Sequence, residues 1–277
     1  MKITALMENT SINEALVSEH GLSLLIEYGG KRILFDAGPS GAFAANAEKL
    51  GLDLAQVDFA VLSHGHYDHS GGLPEFFRLN GKADVYLKRG AEGQYYAGML
   101  GVPMKYVGVD RAVFKEYDDR LRFIEAETEP VHGCHILTDI VPVEQYQLVN
   151  RYLYEKKGRK TVKDTFRHEL VLVFDGEDGI IIITGCSHNG VVSLVETARS
   201  RFPGKSVKAV VGGFHLMGKS PDDMNCDGAF LGKLAAKLMD YHKVYTCHCT
   251  GEKAYALLKA QMGGRLEYFR AGMTIET

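Results

Sequence analysis

Apolar and polar positions divide the chain into recognisable segments. Lys2–Met7 alternates as a strand. Residues 22–28 and 31–36 form two β-type runs separated by Gly29-Gly30, which predicts a hairpin. Phe43, Ala44, Ala47 and Leu50 recur at helical spacing, with Gly51 as the stop. A short apolar run, residues 58–63, reads as a strand, and residues 83–88 as another. Ala112-Val113-Phe114 and Leu121–Ile124 also read as strand pieces within a weaker stretch from about 89 to 163, expected to be an insertion or lid. Regularity returns at 169–174 and Ile180-Ile181-Ile182-Ile183, the two most apolar strands, joined by Asp175-Gly176-Glu177-Asp178-Gly179. A helix follows with Val192, Val195, Ala198 and Phe202 on one face, then a strand at 207–211. Asp227 caps a helix striped by Leu231, Leu234 and Leu238. A strand at 244–246, a helix carrying Ala254, Leu257 and Leu258, and a final strand at 266–270 complete the order. Strands with a helix, followed by strands alternating with helices, imply sheets packed together and covered by helices, and the length allows one large domain or two small ones.

The most distinctive polar stretch is Ser63-His64-Gly65-His66-Tyr67-Asp68-His69-Ser70, set between the apolar strand and Gly71-Gly72-Leu73-Pro74. Three imidazoles and a carboxylate within six residues supply the donors that suit zinc, iron or manganese. His64 and His66, two apart, point the same way from extended chain. Asp68 and His69 lie where the chain turns and can face a second position, so the loop is suited to two metals. His188, His215 and His248 each follow a strand, at the carboxyl ends where α/β proteins carry their sites. His188 and His248 are read as ligands and His215 as an active-site residue. His168 instead precedes a strand. Cys186 is either a thiolate ligand or a small buried residue. Cys247 and Cys249 flank His248, and strand alternation would turn them away from it.

Composition narrows the function classes. The 277 residues carry 35 acids and 32 bases, a formal charge of −3, which gives no electrostatic reason to expect nucleic acid or an anionic membrane as partner. The five cysteines are odd in number and unevenly spaced, against a disulfide framework. Glu8 arrives too early for a secretory signal, so a cytoplasmic protein acting on a small molecule is expected.

The spacing His64-x-His66-x-Asp68-His69 after an apolar strand, with Phe35-Asp36-Ala37-Gly38 before it and histidines at later strand ends, resembles the metallo-β-lactamase superfamily. Thr184-Gly185-Cys186-Ser187-His188, Gly212-Gly213-Phe214-His215-Leu216 and Cys247-His248-Cys249-Thr250-Gly251 resemble, more narrowly, the subgroup named for 7,8-dihydropterin-6-methyl-4-(ribofuranosyl)aminobenzene-5′-phosphate synthase. The resemblance implies a single domain over residues 1–277, a four-layer αββα sandwich of α/β class, and two divalent metal ions, with zinc first and iron or manganese as alternatives. It implies that His64, His66 and His188 hold one metal and that Asp68, His69 and His248 hold the other. Cys186 or His188 stands where the family's hydrolases usually have a bridging aspartate. Asp68 would orient or deprotonate a nucleophile, and His215 would donate to a leaving group or hold a phosphate. Three activities are compatible: hydrolysis of a phosphate ester, lactone or related bond; pterin-linked transfer, with Tyr95, Tyr96 and Tyr106 available to stack on a flat ring; or a non-catalytic metal-binding or redox-sensing module.

Overall fold

The computed structural model describes residues 1–100, 102–220 and 223–277. The chain divides into two compact units. One comprises Met1–Glu125, Val149–Glu169 and Arg270–Glu276; the other comprises Ala126–Leu148, Leu170–Phe269 and Thr277.

The first unit is built on a seven-stranded sheet in the order Thr274–Glu276, Lys2–Met7, Ser23–Tyr28, Lys31–Phe35, Phe59–Leu62, Asp84–Lys88, Leu121–Ile124. The Gly29-Gly30 hairpin forms as expected, with Tyr28 opposite Lys31 and both glycines at positive φ. Lys31–Phe35 and Phe59–Leu62 run parallel, with Phe35 beside Val61. Their carboxyl ends therefore emerge side by side, and the residues that follow, Asp36 and Ser63, become neighbours. Phe43 and Ala47 from helix Ala42–Lys49, and Leu73, Phe76 and Phe77 from helix Leu73–Leu79, bury against Leu34, Ala60, Leu62 and Val85 of this sheet. Asn46 is also fully buried, because its amide donates to the carbonyls of Leu6 and Val17 and accepts from the Val17 amide.

Two expectations need correction here. The stretch Ala112-Val113-Phe114 is not a strand: a short helix, Val113–Glu116, begins where the Asp110 side chain accepts from the Ala112 amide. The parallel position beside Asp84–Lys88 goes to Leu121–Ile124. Leu266–Tyr268 is also not the last strand, since Thr274–Glu276 returns to pair with Lys2–Thr4. Its three residues are too few to register as a pattern, and the pairing partner lies at the other end of the chain.

Residues 89–163 are shared among three sheets. Leu121–Ile124 joins the first sheet. Thr128–Val131 and Cys134–Leu137 belong to the second unit's sheet. Lys160–Lys163, Leu153–Lys157, Tyr95–Met99 and Val102–Tyr106 form a four-stranded antiparallel sheet in the first unit. Residue 101, within this stretch, lies outside the described residues.

The second unit carries a seven-stranded sheet in the order Leu266–Tyr268, Lys243–Thr246, Val207–Gly212, Gly179–Ile183, Val171–Gly176, Cys134–Leu137, Thr128–Val131. The isoleucine strand lies at its centre, antiparallel to Val171–Gly176 and parallel to Val207–Gly212, which is why it has no polar face. Helices Val191–Arg201, Gly228–Leu238 and Glu252–Met262 pack on this sheet through Val192, Val195, Ala198, Leu231, Leu234, Leu238, Ala254 and Leu258. Asp227 caps the second of them, accepting from Phe230 N at 2.8 Å. Leu257, carried by the last helix, is 43% exposed. Ala254, Leu258 and Met262, four apart, define the buried face of that helix, and Leu257 falls outside it. Among the described residues no helix is long and apolar enough to cross a membrane.

Candidate metal centre

In the first unit the donors gather where Phe59–Leu62 ends. His64, His66 and His69 are buried, and their rings lie close: 4.6 Å between the centroids of His64 and His66, and 4.3 Å between those of His64 and His69. Asp68 is half-buried, with Oδ2 at 3.9 Å from His69 Nε2 and 3.7 Å from His20 Nε2. His20 was not anticipated, since it sits alone in a polar segment.

Asp36 organises this cluster. It is buried and held at φ +60°, its Oδ1 accepts from Ser63 N at 2.7 Å, and its Oδ2 accepts from Ser63 Oγ at 2.7 Å and faces His69 Nδ1 at 2.6 Å. A carboxylate only accepts, so His69 carries its proton on Nδ1 and presents the bare lone pair of Nε2. The single Ser63 hydroxyl proton goes to Asp36. Ser63 Oγ, 2.8 Å from His64 Nδ1, must then accept from it, which places His64 in the same tautomer. Two buried imidazoles thus have Nε2 unprotonated, the state in which an imidazole can bind a metal.

The loop is held in place by its backbone. Ala37 N donates to His69 O at 2.7 Å, Leu22 N to Asp68 O at 3.2 Å, and Gly72 N to Gly38 O at 3.2 Å. This close approach requires the glycines. A Cβ on Gly71 would stand 2.0 Å from Pro39 O, and one on Gly72 would stand 2.1 Å from Ala37 O. Both obstacles are backbone atoms that cannot rotate away. Gly71→Ala should therefore cost about 3 kcal/mol, the upper end of overpacking penalties. Chemical denaturation of the variant beside the parent checks this, and an unchanged midpoint would refute the steric reading.

A second group in the same unit joins His66 to Asp164 and His168, whose donor atoms lie within 4.8 Å of one another. Sequence reasoning noted His168 only as a residue ahead of a strand and missed Asp164 altogether. The signal was an aspartate four residues before a histidine. Asp164 Oδ2 lies 3.2 Å from His168 Nε2 and 3.5 Å from His66 Nε2. Burial favours the protonated form of the Asp164 carboxyl, but the imidazoles of His168 and His66 beside it prevail and hold it well below the usual carboxylate range. Burial pushes His168 the other way, below its ordinary value and toward the neutral imidazole. Tyr95 is buried, donates from its hydroxyl to Gly90 O at 2.6 Å, and packs its ring on His168 at 4.1 Å. It supports the site from within. Tyr96 and Tyr106 pack edge to face at 5.4 Å.

In the second unit the donors again follow strands. Cys186, His215 and Cys249 have donor atoms within 4.8 Å of one another, Cys186 and His248 are equally close, and the rings of His188 and His215 lie 4.2 Å apart. His215 Nδ1 is buried with no hydrogen-bond partner among the described residues. A buried polar atom left this way is what a ligand site leaves behind.

Cys249 corrects the sequence reading. Strand pairing stops at Thr246, and His248–Thr250 forms a tight 3₁₀ turn, so alternation no longer applies. Cys249 Sγ accepts from His215 N at 3.2 Å, on the same side as Cys186. Burial raises the Cys249 thiol pKa, while Cys186, His248 and His215 lower it more strongly, so the thiolate is favoured.

The turns that carry the donors are strained. Asp36, Phe166, Ser187, His215 and His248 all have positive φ, and among the described non-glycine residues only Leu100 joins them. Ser187 and Thr250 stabilise two of these turns: Ser187 Oγ donates to Gly213 O at 2.7 Å, and Thr250 Oγ1 accepts from Phe214 N at 2.9 Å. Gly213 has to be small, since a Cβ there would lie 2.6 Å from Cys249 Sγ.

Fold and donor sets together define a family. Residues 18–202 match the model of the metallo-β-lactamase superfamily, and the chain belongs to it. This is a superfamily of divalent-metal proteins, most of them hydrolases, and the chain has its mixed α/β fold. A crystal structure of Tm1679, described as a metal-dependent hydrolase of the β-lactamase superfamily, superposes with a TM-score of 0.82 at 31% identity, covering 100% of this chain and 99% of the other. Among curated proteins, the uncharacterized protein MJ0448 of Methanocaldococcus jannaschii is 34% identical, over 92% of this chain and 93% of its own length. The 7,8-dihydropterin-6-methyl-4-(beta-D-ribofuranosyl)-aminobenzene-5′-phosphate synthase of the same organism is 29% identical, over 100% of this chain and 96% of its own length.

Proposed function

We propose that the protein is a metal-dependent hydrolase of a small phosphate ester or lactone, working through a binuclear metal centre. The preset tautomers of His64 and His69 carry this reading: a buried carboxylate and serine hold the proton of each ring on Nδ1, which leaves Nε2 in the unprotonated form that a metal requires. In this reading His64 and His66 act with His188, and Asp68 and His69 act with His248. Cys186 is a further candidate ligand, and the donor mix of imidazole, carboxylate and thiol suits zinc. Divalent ions held there would polarise an ester or lactone oxygen and lower the pKa of water from 15.7 to about 7.

The chain's own groups do the rest. Asp68, half-buried beside His69 and His20, takes a proton from the attacking group. His215, with Nδ1 buried, donates to the leaving oxygen or holds a phosphate. Similarity to the dihydropterin synthase over 100% of this chain favours a second reading, in which the same centre joins a pterin methyl carbon to an aminobenzene ribose phosphate as the carbon–oxygen bond to a pyrophosphate leaving group breaks.

Purified protein should carry close to two zinc ions per chain by elemental analysis. It should hydrolyse phosphodiester or lactone probes, lose that activity to a chelator and regain it with zinc. Turnover of a pterin pyrophosphate with an amine-bearing ribose phosphate, and of none of the hydrolytic probes, would select the synthase. A folded protein that cannot be loaded with metal would refute both.

A further inference from the structure

The 149–169 segment is anchored before it reaches the metal loop. Asn150 Nδ2 donates to the carbonyls of Leu153 and Asp164, both at 2.9 Å, and Asp164 N donates to Leu153 O at 3.1 Å. The chain then turns through Phe166, at φ +51°, whose amide donates to Asp164 Oδ1 at 2.7 Å. One carboxylate oxygen is therefore committed to the backbone, and the other, Oδ2, is left to face the imidazoles.

His168 fixes the direction of that oxygen. Gly65 N, between His64 and His66, donates to His168 Nδ1 at 2.9 Å. Nδ1 is therefore the acceptor, and the proton of the neutral ring sits on Nε2. That N–H points at Asp164 Oδ2, 3.2 Å away. The same Oδ2 stands 3.5 Å from His66 Nε2. Two donors bound to one tetrahedral zinc at 2.0–2.1 Å lie about 3.3–3.4 Å apart. The carboxylate oxygen thus already stands at nearly the spacing of a second ligand on the metal that His66 binds.

We propose that Asp164 supplies a carboxylate oxygen to the metal held by His64 and His66, and that His168 is the positioning residue that aims it. This rests on the reading of His66 as a ligand. The consequence is an anionic donor delivered to the metal loop by the 149–169 segment. His168 reads the position of the loop through the Gly65 amide and sets the carboxylate through its other nitrogen, so segment and loop are registered to each other by one ring.

The test is metal binding by Asp164→Asn, measured by elemental analysis, chelator competition and the visible spectrum of the cobalt(II)-loaded protein, with circular dichroism as the folding control. The amide is isosteric but a far poorer ligand. Metal affinity at one site should fall at least tenfold and the cobalt bands should shift, with the fold unchanged. His168→Ala should also weaken that site. His168→Gln should restore part of the loss, because one amide can accept from Gly65 N and donate to Asp164 together. An Asp164→Asn protein with parental stoichiometry, chelator competition within twofold and an unaltered cobalt spectrum would overturn the proposal and leave Asp164 as a structural tie. Should Asp164→Asn fail to fold, Asp164→Glu decides by the same spectrum: a shifted cobalt spectrum supports ligation and an unaltered one overturns it. A parent protein that binds no metal would fail earlier, on the reading of the site itself.

Discussion

His66→Ala should reduce the proposed hydrolysis roughly 1,000-fold or more, equivalent to about 4 kcal/mol of transition-state stabilisation, and should lower metal content with it. His66 is buried and leads into the turn that carries Asp68 and His69, so its loss removes a donor from the middle of the first unit's cluster. Its backbone is independently secured: the carbonyl accepts from Ser70 Oγ at 2.9 Å, and the residue bridges to Gly108. The loop should therefore survive the substitution, which separates chemistry from folding. The measurement is kcat/KM on the best probe together with zinc per chain. A variant that keeps its zinc and its rate would remove His66 from the centre and take the role proposed for Asp164 with it.

Asp36→Ala should have the largest effect on stability, about 3–5 kcal/mol. It strips the acceptor from the Ser63 amide, the Ser63 hydroxyl and His69 Nδ1 together, all in the dry interior. The positive φ of Asp36 adds to the cost, since aspartate tolerates that conformation better than alanine does. Asp36→Asn is the informative partner. An amide keeps the size but offers a donor to groups that must themselves donate, so the tautomers of His64 and His69 are no longer enforced. Zinc affinity should fall 10–100-fold, the usual range for a residue that orients a ligand, with a smaller loss of stability. Urea denaturation and chelator competition on both variants test this. Parental affinity in Asp36→Asn would show that the Asp36–Ser63 pair does not set the ligands.

Asp36 also shows where reading the sequence stopped. Phe35-Asp36-Ala37-Gly38 was legible as a motif at a strand end, but nothing local says that its carboxylate meets Ser63 and His69. That contact follows from parallel pairing of Lys31–Phe35 with Phe59–Leu62, which places residue 36 beside residue 63. Cys249 is similar. Alternation sends it away from His248 only while the strand continues, and the strand ends at Thr246 because the next residues turn in a 3₁₀ geometry with His248 at φ +51°.

Short-range physics determined much of this protein in advance. Apolar periodicity gave the hairpin, both central strands, the Asp227 cap and the core faces of most helices. The density of His and Asp within Ser63–Ser70 singled out a candidate metal loop, and the fold gathers those donors where Phe59–Leu62 ends. The tertiary structure alone decided which distant groups serve that loop: Asp36, which sets its tautomers, and Asp164 with His168, which arrive about 100 residues later in sequence. Their partners are fixed by strand register and by a strained turn at Phe166. Neither has a periodicity, and a lone carboxylate in a polar stretch looks the same whether it faces water or is buried against two imidazoles.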